Sequence, residues 1–392
     1  MNLVKMEFKK IMKNKPAVLF ALITFIFLAG FGIQSTLDRR ETIGNLDAYY
    51  KLFEPYKGEI NEALAVKITQ EIDSILNDNH YIMNNKISKD LTPEIRRELY
   101  FKFSYSNAYR THKWWLDNDE GTSFNILKKE YQDIVANSQQ NSFTGKDTYK
   151  KLMSYENVGA PGFYKTDDWE DLFFYLLSPF MAIFISVTTI LAIGPVFSNE
   201  IVTGVKRVIL STESGYKKVT RSKVLASLGF TYLYITLIYS ISILAFLIIN
   251  KGYRMWNMPL NSISQFLFTP YHLSALEMLL AAYLVTILAS SLLVVCILFI
   301  SSVCKSNVTS IIIAGVFTCI PLFLPSIDGG IGLIKEAFPF KQLMISHLFS
   351  TYESYNIAGQ PTLKLPIMVV LDVLLICLFY IFIRLFNRRK DF

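Results

Sequence analysis

Six stretches of this 392-residue chain are too long and too apolar to sit in water. They run Ala17–Ile33, Leu172–Phe197, Val224–Ile249, Ser274–Ile300, Val308–Pro325 and Pro366–Ile383. A bilayer core takes about 20 apolar residues as a helix, and only helices or closed barrels satisfy every backbone group in lipid. The fold class expected is therefore an all-α membrane protein with six transmembrane helices. Composition agrees: 52% hydrophobic and 18% charged residues exclude a disordered chain, a nucleic-acid-binding domain and an ordinary soluble enzyme. The first run follows a basic start but ends Gly30-Phe31-Gly32-Ile33-Gln34, a poor cleavage site, so it reads as a retained helix.

The formal charge of +7 is unevenly placed. With the N-terminus inside, the segments 1–16, 198–223, 302–308 and 384–392 carry sixteen Lys/Arg against four acids. The short loops 250–273 and 326–365 carry five Lys/Arg. Basic residues in short loops mark the cytosolic side. Both termini are thus expected in the cytosol and the chain in the plasma membrane, its basic face toward anionic lipid and an inside partner. The four Cys (Cys296, Cys304, Cys319, Cys377) lie in or beside apolar runs, as small apolar fillers rather than a disulfide framework. No metal-ligand spacing occurs.

Segment 34–171, between the first two spans, is long enough for a core of its own and reads as an inserted, mainly helical extracellular domain. Glu59–Asn77 has apolar residues at helical spacing, Thr92-Pro93-Glu94 opens a helix running to about Trp115, and Ser123 and Asp147 are candidate caps for two more. Gly159-Ala160-Pro161-Gly162 breaks the chain before the second span. Trp114, Trp115 and Trp169 form either a ligand-receiving surface or a helical core with an interfacial belt. His80 and His112 lack ligand-spaced companions.

Residues 2–14 mix Leu3, Val4, Met6, Phe8, Ile11 and Met12 with lysines, the pattern of a helix lying flat on the inner leaflet. The loop 198–223 is the most specific stretch. Ser198 is expected to cap a single helix from Asn199 to Leu210, with Ile201, Val205, Val208 and Ile209 on one face. Three turns are too few to stand alone in water, so it needs a membrane surface or partner. Gly194-Pro195 can bend the chain into it.

Glu200, Gly204, the aliphatics Val208-Ile209-Leu210, Ser211-Thr212 and Lys223 resemble the loop between the second and third helices of the type-two permease family of ABC transporters, the type V exporter fold. Val205, Glu213 and Gly215-Tyr216 depart from that pattern. The flat basic N-terminal helix, six spans and a Gly/Pro-broken outer loop at 326–365 belong to the same resemblance, which covers the membrane domain and leaves 34–171 unmatched. The resemblance implies a permease powered by a separate cytosolic ABC ATPase dimer, which binds ATP and Mg, and working with a second permease chain, identical or a sister. It places coupling on Glu200, Gly204, Lys206, Arg207, Ile209, Leu210, Lys217 and Lys218.

This chain itself has no P-loop: the one Gly-Lys pair, Gly145-Lys146, lacks the upstream Gly. No catalytic residue and no cofactor of its own is expected. Glu277 and Asp372 are acids within spans, either a cargo or cation site or anions at helix starts. Tyr232, Thr236 and Tyr239, with Ser240, form a polar stripe that lines a pathway or joins helices. The reading is an exporter of lipid, peptide or antibiotic cargo. The alternative is a sensing or immunity component of the same build, whose outer domain binds a ligand without transport. A membrane enzyme would need a clustered acid–His site, and the four His are scattered.

Overall fold

The computed structural model describes residues 3–76, 82–83, 86–87, 91–116, 123–137, 139–211, 215–324 and 330–388. His80, the 326–329 part of the outer loop and the last four residues lie outside them, as do the side chains of Ser123, Lys206, Arg207 and Leu210. Of the described residues 80% are helical, and the length and apolarity of the helices make this a multi-pass membrane protein.

Helix α1 (Leu3–Met12) precedes α2 (Lys15–Ile43). Asn14 separates them: its Oδ1 accepts from the Ala17 N–H while its backbone is extended. Helix α2 does not stop at residue 33 but continues ten residues further. It is followed by α3 (Leu46–Phe53), α4 (Glu62–Leu76), the two-residue strands β1 (Ile82–Met83) and β2 (Lys86–Ile87), α5 (Pro93–Leu116), α6 (Ser123–Ala136) and α7 (Phe143–Val158). The Thr92-Pro93 start predicts α5 to within a residue. Asp147 is not a cap. It lies inside α7, and Ser142 caps that helix by accepting from the Gly145 N–H.

The second apolar run starts earlier than expected and is broken twice. It comprises α8 (Asp167–Leu176), α9 (Pro179–Ile193) and α10 (Pro195–Val202). Then come α11 (Val205–Leu210), α12 (Gly215–Ser242) with a π segment at Ile243–Ile248, α13 (Ala275–Val303) and α14 (Asn307–Phe323). Helices α15 (Gly330–Glu336), α16 (Pro339–Leu343) and α17 (Ser346–Phe349) lead to an antiparallel hairpin, β3 (Ser354–Ile357) with β4 (Gln360–Leu363), and α18 (Lys364–Arg388) closes the chain. The hairpin lies within the 326–365 loop, which the sequence marks only as broken by Gly and Pro. Among the described residues five helices are long enough to cross a membrane; the run at 308–325 forms the shorter α14, of 17 residues.

Helix α13 is the hub. It packs on α18, α12, α9, α14 and α16, and 67% of its most apolar window is buried, against 28% for α2 and 17% for α18, which present their apolar sides outward. Where α2 crosses the π segment the approach is so close that a Cβ on Gly32 would lie 2.3 Å from Ala245 Cβ. Only glycine fits there.

The inserted segment is not walled off. One apolar core runs from the bundle through Trp169 and Phe173 into Phe53, Phe101, Tyr105 and Phe163, where the Phe53 and Phe163 rings stack at 5.1 Å. A smaller core of Trp115, Leu127, Leu152 and Tyr155 serves α6 and α7. Trp115 and Trp169 are core residues; Trp114 packs at the edge of the smaller core.

Candidate functional site

The sequence that most needs local explanation is Gly194-Pro195. Proline has no N–H, so the Leu191 carbonyl loses the donor that a helix would supply. Asn14 Nδ2 replaces it at 2.6 Å, from the junction of α1 and α2. One turn later the ladder opens again. The Phe197 and Ser198 N–H groups both donate to Ser301 Oγ, at 3.0 and 3.1 Å. The Ser301 hydroxyl donates in turn to the Gly194 carbonyl at 2.6 Å. Ser310 Oγ (2.7 Å) and Ser198 Oγ (3.3 Å) share that carbonyl. A serine hydroxyl from α13 is thus inserted into the helix ladder, one of the recognised causes of a helix break. Ser198, expected as an N-cap, is fully buried and also donates to Asn307 Oδ1 at 2.8 Å.

The expected single helix over 199–210 is two helices. Gly204 takes φ +72° between α10 and α11, a left-handed conformation costly for other residues, and nothing lies within 4 Å of where its Cβ would be. The two helices form an elbow. Val202, Val205 and Val208 are all strongly exposed on it, while Ile201 and Ile209 are half-buried. Lys217 and Lys218, at the start of α12, are exposed.

The elbow is anchored at its base by one ammonium. Lys223 of α12 is 2% exposed. Its Nζ donates to the Val196 carbonyl at 2.6 Å and pairs with Glu200 Oε1 at 3.0 Å and Glu7 Oε2 at 3.5 Å, above the Phe197 ring. Lys10 takes the other oxygen of Glu7 at 2.7 Å. A charge this deeply buried is tolerable only when paired and hydrogen-bonded. Three elements that are distant in sequence, α1, α10 and α12, therefore converge on one group. Glu200 and Lys223 are legible in the loop pattern; Glu7, Asn14, Ser301 and Ser310 are not. The signal that points to Asn14, Ser301 and Ser310 is the Gly-Pro pair itself, which frees carbonyls that must find donors.

The other named residues lie elsewhere. Tyr232, Thr236 and Tyr239 pair with Ser291, Tyr283 and Thr286 of α13 at 2.8–2.9 Å, so their hydroxyls join two helices. Glu277 is exposed and completes a capping box with Ser274 at the start of α13. Asp372 is 1% exposed in α18, with Oδ1 unpartnered among the described residues. None of these touches the elbow.

At the opposite end a second buried cluster joins the inserted segment to the bundle. Lys165 Nζ and Tyr50 OH each reach Asp168 Oδ2 at 2.5 Å, and Arg39 of α2 pairs with both Asp168 and Asp171. Burial pushes the Lys165 ammonium down to about 8, against the Asp167 and Asp171 carboxylates, which pull it up. Burial likewise raises the Tyr50 hydroxyl well above the usual tyrosine range. Trp169 Nε1 donates to the Gly252 carbonyl at 3.0 Å. In the 326–365 loop, Glu336 holds His347 at 2.8 Å and Lys364 at 3.0 Å.

All four cysteines are free, and no group of metal-ligating side chains exists among the described residues. Compared with known families, curated proteins and solved structures, the chain matches none of them.

Proposed function

We propose that this chain is the permease subunit of an ATP-driven ABC exporter, and that the α10–α11 elbow seats in a separate cytosolic ATPase. In this reading α14 is the fifth of six crossings, both termini are cytosolic, and the inserted segment lies outside. A second permease chain, the same or a sister, completes the transporter, and lipid covers the outward apolar faces. The observation that carries the reading is the elbow itself: an exposed valine tip on two short helices, tied at the base to α1, α2, α12 and α13.

Such a tip has little reason to stand in water, because α10 and α11 have eight and six residues, far below what an isolated helix needs. Pressure on α11 passes through α10 to the Lys223 ammonium and the Ser301 hydroxyl, and so to two membrane helices at once. ATP-driven closure of the ATPase would bias the bundle between two packings, a rigid-body switch rather than a local chemical step. The cargo class that fits is amphipathic: lipid, peptide or antibiotic.

The test is a Val205→Asp, Val208→Asp double variant purified in mild detergent with its separately encoded ATPase. Loss of ATPase association and of ATP-driven activity, with an unchanged unfolding midpoint, is the expected result. Survival of both overturns the assignment.

A further inference from the structure

We propose that the polar cleft between α5, the 159–166 connection and the 260–267 turn binds a small organic cation carrying at least one further hydrogen-bond donor. The cleft has a volume of about 350 Å³, within the range of small-molecule sites. It is lined by Asp167, Glu170, Asn261, Ser104, Asn107 and Ser264, among others, and among the described residues no Lys, Arg or His contributes to its wall.

Its acceptors are under-used. Glu170 Oε1 takes only neutral donors, from the Thr166 hydroxyl at 2.9 Å and from Ser264 Oγ and N–H at 3.2 and 3.4 Å. The Asp167 side chain is 43% exposed and its one ion pair, to Lys165 Nζ, is long at 3.7 Å, that ammonium's short contact being to Asp168 at 2.5 Å. Most telling is Asn261. It is 1% exposed, and its Nδ2 donates to the Gly159 carbonyl at 2.9 Å, which fixes the amide. Its Oδ1 has no hydrogen-bond partner among the described residues. A buried acceptor left unpartnered is costly and needs an explanation. Here it lies on the wall of a cleft bearing two carboxylates. An ammonium between Asp167 and Glu170, with a second donor on Asn261 Oδ1, answers both. Ala108 and Leu267 supply apolar wall for a short carbon chain. This site goes beyond the coupling reading and does not depend on it.

The test compares three five-carbon probes on the full chain in nanodiscs of zwitterionic lipid: cadaverine, 1,5-pentanediol and glutarate, followed by saturation-transfer NMR. Saturable binding of cadaverine alone is expected. Asp167→Asn with Glu170→Gln should weaken it by roughly tenfold or more, the scale of a lost charge-assisted hydrogen bond. Ala108→Trp, which fills the cleft and leaves both carboxylates in place, should abolish it. Absence of saturable cadaverine binding, equal binding of the diol or glutarate, or binding undiminished in both variants overturns the proposal.

Discussion

The Lys223 ammonium, 2% exposed, lies 3.0 Å from the Glu200 carboxylate and ties α12 to α10 at the base of the elbow. Glu7 approaches the same ammonium from α1. Removing Lys223 leaves two carboxylates facing each other with little water. Lys223→Met is expected to cost about 3–5 kcal/mol, as for other broken buried pairs. Adding Glu200→Gln should restore part of that loss. Thermal unfolding of the single and double variants in detergent checks both, and additive losses would show that the pair does not interact.

Ser301 and Ser310 reach the same carbonyl but do different work. Ser301→Ala strips the acceptor from the Phe197 and Ser198 amides, whereas Ser310→Ala removes only one of three donors to Gly194. Each buried amide left unpaired costs about 1–3 kcal/mol. Ser301→Ala should therefore destabilise more than Ser310→Ala and speed hydrogen exchange at residues 197 and 198. Equal effects would mean the inserted hydroxyl is incidental.

Gly204→Ala meets no atom, so its cost is purely conformational, about 1–2 kcal/mol for a left-handed position. Gly32→Ala instead meets Ala245 Cβ and must push α2 from the π segment. Gly204→Ala is expected to change hydrogen exchange only over 199–210. Gly32→Ala is expected to lower the unfolding midpoint of the whole bundle.

Glu336 sets an acid limb. Burial raises its carboxyl, but the His347 hydrogen bond and charge and the Lys364 ammonium outweigh it and hold the group at about 2, against the ordinary 4.5. The sign follows directly: the folded state binds the proton less well than the unfolded chain, so the contribution is whole above pH 4.5 and fades as pH falls toward 2. Glu336→Gln should flatten the midpoint-versus-pH curve in that window and leave its neutral arm shallower in height. An unchanged acid limb would remove Glu336 from the account.

Particular elements tell how much could be read in advance. Thr92-Pro93 marks the start of α5 because a capping position and a proline at the first turn act within one helical turn. The Ser198 cap fails because α10 already begins at Pro195, so Ser198 lies inside the helix and its hydroxyl donates to Gly194 and to Asn307, more than a hundred residues away. Asp147 fails likewise: its carboxylate is taken by Ser354 and Tyr352. Helix α2 overruns its apolar run because Thr36, Arg39 and Ile43 find burial or partners on the inserted segment and α8.

By itself the amino-acid order determined that this chain is a bundle of apolar helices with a long polar insertion, because lipid obliges each spanning segment to close its hydrogen bonds locally. The tertiary structure decided where those helices break and what mends the breaks. Asn14, Ser301 and Lys223 meet the carbonyls around Gly194-Pro195 only when α2, α13 and α12 have packed beside it, and long-range packing leaves no periodic trace in the residues that take part.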